Sequence, residues 1–75
     1  MELLKEVDKA VDWASDLGDQ WVGTLIGRML DAERDHVLEA VKREDLELAS
    51  VMVLNLTKTC QYAEKQLNEI EERSV

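Results

Sequence analysis

The sequence predicts an all-α protein: three helices in an up-down-up arrangement, a short first helix followed by a long helical hairpin, assembling as a homodimeric helical bundle. Three observations carry this reading. The 75 residues contain no proline and only Gly18, Gly23 and Gly27, so little interrupts helical structure. Apolar residues recur in alternating steps of three and four, the signature of a helix buried along one face. A chain this short buries only about 60% of the surface its unfolded form exposes, and its single cysteine cannot staple it internally; association is the usual remedy.

Leu3, Val7, Ala10, Ala14 and Leu17 form the stripe of the first helix, expected over about 2–17. Gly18 suits a left-handed C-cap and Asp19 the N-cap that follows it. Trp13 and Trp21 would flank and lock that corner. A second helix over about 20–43 presents Val22, Leu25, Ile26, Met29, Leu30, Val37, Ala40 and Val41 on one broad face. No glycine marks its end. Lys42 and Arg43 suit a helix C-terminus, and Asp45 can cap a third helix with Glu47 in its first turn. The alternative is one unbroken helix from 20 to 73. The third helix, about 45–73, has the most regular pattern: Leu46, Ala49, Val53, Leu56, Cys60, Ala63, Leu67 and Ile70 keep the rhythm over four heptads. The whole chain reads as a single helical domain, 1–75, with no internal repeat.

Turns at 18–19 and 44 place Leu3 level with Arg34 and Leu54, so the hairpin tip, about 37–51, would project past helix 1. That tip carries Val37, Leu38, Val41, Leu46, Leu48, Val51 and Met52. In addition, Leu48–Thr57 is ten residues without a charge, and Leu48, Val51 and Tyr62 fall opposite the heptad stripe. A helix that is apolar all round needs cover all round. The expected partner-binding residues are therefore Val37, Val41, Leu48, Val51, Met52 and Tyr62, with a second copy of the chain the first expected partner and a further, unidentified protein the next.

The chemistry-bearing residues are few. Glu33 and His36 have Glu-x-x-His spacing within the apolar face of helix 2, the arrangement by which ferritin-like carboxylate proteins aim metal ligands into a bundle core. The alternatives are a structural polar layer or a wetter rim position, and no metal is the primary expectation. Cys60 holds a heptad position and reads as a small core residue, not a nucleophile. Gly23 and Gly27 form Gly-x-x-x-Gly on the side of helix 2 away from its main stripe, which reads equally as a groove for a partner's backbone and as a local concession to close packing. With no serine–histidine pair, glycine-rich phosphate loop or second ligand cluster, no enzyme and no cofactor are expected.

Seventeen Asp and Glu against nine Lys and Arg give a net charge of −8. That excludes a basic nucleic-acid footprint or attraction to an anionic membrane. Met1–Glu6 has no signal-peptide character, and the unpaired cysteine fits the cytoplasm. The leading expectation is a small acidic protein–protein interaction module acting through an apolar helical surface, without catalysis. The alternatives are an acidic inhibitor of the small phage-encoded kind, occupying a basic surface of a nucleic-acid-processing protein, and a metal-binding bundle through Glu33 and His36. Between Ala40 and Leu67 the chain resembles a helical-hairpin adaptor but lacks the signature positions of tetratricopeptide repeats.

Overall fold

The computed structural model describes residues 2–73, which form three helices, α1 (Glu2–Gln20), α2 (Leu25–Lys42) and α3 (Leu46–Arg73). Among the described residues there is no strand. All three helix pairs pack on one another in a bundle of 46 × 22 × 15 Å.

The first turn lies later than the sequence suggests. Gly18 and Asp19 do not end the first helix; both remain inside α1. The break spans Trp21–Thr24, with Gly23 at φ 80°, and Thr24 in place of Asp19 is the N-cap. The Thr24 hydroxyl accepts from the Gly27 amide at 3.1 Å and donates to the Trp21 carbonyl at 2.6 Å. Two of the donors and acceptors freed by the chain reversal are thereby satisfied by one side chain. Gly27 is buried in the first turn of α2, where a Cβ would collide with the Trp21 carbonyl. The two glycines thus serve the turn: Gly23 through its left-handed backbone, Gly27 through close approach. Gly-x-x-x-Gly forms no partner groove.

The second turn matches the expectation from charge and capping, and the rival unbroken helix is absent. The Glu44 amide donates to the Val41 carbonyl and the Asp45 amide to the Ala40 carbonyl, both at 3.0 Å. This is a Schellman closure, with Glu44 at φ 60° in the left-handed position usually held by glycine. Asp45 then caps α3, its Oδ1 accepting from the Leu48 amide at 3.1 Å. One residue closes α2 and opens α3.

The core is formed by Val7, Ala10, Ala14 and Leu17 of α1, Leu30 and Val37 of α2, and Val53, Leu56, Cys60 and Ala63 of α3. The heptad stripe of α3 is buried or half-buried from Leu46 to Leu67. On α2 the apolar face is narrower than the sequence suggests. Val22, Leu25 and Met29 are exposed, because the helix begins at Leu25 and its inward positions fall at Gly27, Leu30, Val37 and Ala40.

The later turn extends α1 to Gln20. Glu6, Lys9, Ala10 and Trp13 of α1 line one groove with Ser50, Val53, Leu54 and Thr57 of α3, and the Trp13 indole reaches on to Glu64. Leu3 of α1, with Val41 and Met52 near the hairpin tip, is half-buried and packs against the core.

Candidate functional site

Several exposed apolar side chains gather on the outer face of α3. Leu48, Val51, Leu54 and Tyr62 are exposed, Val51 and Leu54 by more than half (51% and 56%). They surround the side of α3 opposite Ala49, Val53, Leu56, Cys60 and Ala63, which face α1 and α2. Between Leu48 and Thr57 no charged residue interrupts this face. Two depressions flank it. The groove towards α1, about 520 Å³, is lined by the apolar Ala10, Trp13, Val53 and Leu54 together with Glu6, Lys9, Ser50 and Thr57. Towards α2, a hollow of about 280 Å³ is lined by His36, Glu39, Ala40, Arg43, Leu48 and Met52.

Of the six expected partner-binding residues, Leu48, Val51 and Tyr62 lie on this exposed face. Val41 and Met52 are half-buried, packed against the monomer's own core. Val37 is fully buried and offers nothing to a partner. Val37 belongs instead to the core cluster with Leu30, Val53 and Leu56. Leu54 is the residue the pattern does not single out, although the uncharged stretch contains it.

Glu33 and His36 differ in burial. His36 is exposed at the α2–α3 hollow, contrary to its expected place on the inner face. Glu33 is half-buried, and its Oε2 is buried without a hydrogen-bond partner among the described residues. Spacing of three residues leaves the two about 60° apart around α2, with Glu33 turned towards the core and His36 towards its edge. Among the described residues no three of His, Cys, Asp or Glu gather as a metal-binding group.

Cys60 is fully buried, as its heptad position predicts. Burial pushes its thiol up to about 11, and the carboxylates of Glu33 and Glu64 add to the rise. A thiol held protonated is a poor nucleophile. Trp13 does lock the bundle, though across helices: its indole N–H donates to Glu64 Oε2 at 2.9 Å. Trp21 sits in the first turn, its indole nitrogen buried without a partner among the described residues.

The acidic residues are more ordered than their even spread along the chain suggests. Asp8, Asp12, Asp16 and Asp19 of α1 are all exposed, and their 4-4-3 spacing keeps them within an arc of about 80°. None of the four is ion-paired among the described residues; the ion pairs are Arg34 with Asp31 and Asp35, and Arg43 with Glu39. Lys5 and Lys9 lie beside this row.

No protein-family model, curated protein or solved structure matches the chain. Among the described residues, no helix is long and apolar enough to cross a membrane.

Proposed function

We propose that this chain is a small acidic protein–protein interaction module, binding through the outer face of α3 and performing no catalysis. Its first partner is its own copy. The observation that carries the reading is the uncharged Leu48–Thr57 stretch with Leu48, Val51 and Leu54 exposed on a helix whose opposite side is already filled by α1 and α2. Exposed apolar side chains are common singly, but a contiguous set on one helix face is characteristic of an interface. Cys60, buried and with its thiol held protonated, is not available as a nucleophile.

Sedimentation velocity of the native chain beside Leu48→Glu and Val51→Glu tests this. Both residues are exposed, so each variant keeps its helices while association is lost. Variants that associate as the native chain does would exclude the face.

The row Asp8, Asp12, Asp16 and Asp19 favours a second reading, an acidic decoy on a basic, nucleic-acid-binding surface. Successive carboxylates rise about 6 Å along α1, a regular line of negative charge. A complex of that kind weakens steeply with added salt, whereas an apolar seam holds.

A further inference from the structure

We infer that the second copy lies antiparallel along α3, with a two-fold axis passing beside Asn55; this rests on the reading that the outer face of α3 binds protein. Surface area supports a partner of this size. The chain exposes 5415 Å², whereas a monomer of 8.6 kDa is expected to expose about 4,700 Å². The excess, about 700 Å² over the whole chain, is close to the roughly 800 Å² that each member of a standard interface gives up.

The outer face has the spacing of a helix–helix seam. Leu48, Val51, Asn55, Lys58 and Tyr62 follow steps of three, four, three and four, and all five are exposed. Direction follows from what each pairing brings together. A parallel seam sets Lys58 against Lys58 and Glu47 against Glu47, repelling at both places. An antiparallel seam centred on Asn55 sets Leu48 opposite Tyr62 of the second copy. Val51 then meets Thr59 and the aliphatic stem of Lys58, whose ammonium reaches on to solvent.

Asn55 meets itself across the axis, where two carboxamides can exchange hydrogen bonds. A single asparagine in an apolar seam fixes register in this way. Charges on the flank agree. Glu47 and Lys65 lie on the same side of α3, and the two-fold brings Glu47 within two residues, about 3 Å in height, of Lys65 of the second copy. The pairing occurs twice. Leu54 lies on that flank too, close to its own counterpart.

Cysteine cross-linking tests the geometry, with the buried Cys60 left in place. Under mild oxidation Asn55→Cys should form a disulfide-linked dimer in at least ten-fold greater yield than Leu48→Cys or Tyr62→Cys alone. A mixture of the last two should link to each other. Self-linking of Leu48→Cys and Tyr62→Cys as efficient as that of Asn55→Cys would show a parallel seam and overturn the inference. A native chain that sediments as a dimer but yields no Asn55→Cys link would overturn the seam and leave the protein-binding face standing. A monomeric native chain would overturn both.

Discussion

The backbone carbonyl of Trp21 occupies the space into which a side chain at Gly27 would grow. This contact belongs to the first turn at Trp21–Thr24, which leaves α1 running on to Gln20. Replacing Gly27 by alanine should destabilise the fold by about 2 kcal/mol, in the range of overpacking a rigid site. Gly18, inside α1, meets only Asp31 Oδ1 at an ordinary 3.4 Å. Gly18→Ala should therefore stabilise, by about 0.5–1 kcal/mol through helix propensity. Urea unfolding of the two variants checks the opposite signs.

Those two glycines show where sequence reading stops. Gly18 and Gly27 look alike as letters, and helix periodicity assigns Gly18 to the break. The deciding hydrogen bonds span only three residues, with Thr24 satisfying both the Trp21 carbonyl and the Gly27 amide, but Gly18 and Asp19 present a competing stop-and-cap pair in the sequence. By contrast, the heptad stripe from Ala49 to Ala63 and the cap at Asp45 depend on local spacing and short-range hydrogen bonds, and were legible. Exposure of Leu48, Val51 and Tyr62 was legible for the same reason. The fate of Val37 was not, since it depended on the register of a distant helix.

Glu44 pays a conformational penalty at φ 60° that glycine would not. Glu44→Gly should raise stability by about 0.5–1 kcal/mol, since the Schellman closure needs only the backbone there. The thermal midpoint of the variant should rise, with the helical signal unchanged.

Cys60 gives the fold a pH dependence in the alkaline range. Its thiol is raised from 9.0 to about 11 in the folded chain, so the unfolded chain releases this proton first. The associated stability is intact below pH 9 and is lost as pH rises towards 11. Stability measured across that window should fall more steeply for the native chain than for Cys60→Ala. The native thiol should also react with a thiol reagent at pH 8 only as fast as the bundle opens, and at once in denaturant.

Val37 and Val51 separate folding from association. Val37→Asp places an unpaired charge in a fully buried site and should unfold the chain. Val51→Asp, at a half-exposed site, should leave helical circular dichroism intact and abolish self-association. The same circular dichroism signal from both variants would contradict the assignment of Val37 to the core.

The most direct measurement is sedimentation equilibrium of the native chain at tens of micromolar. The apolar outer face of α3 predicts a mass of twice 8.6 kDa, little changed between low and moderate salt. A mass of 8.6 kDa throughout that range would contradict it.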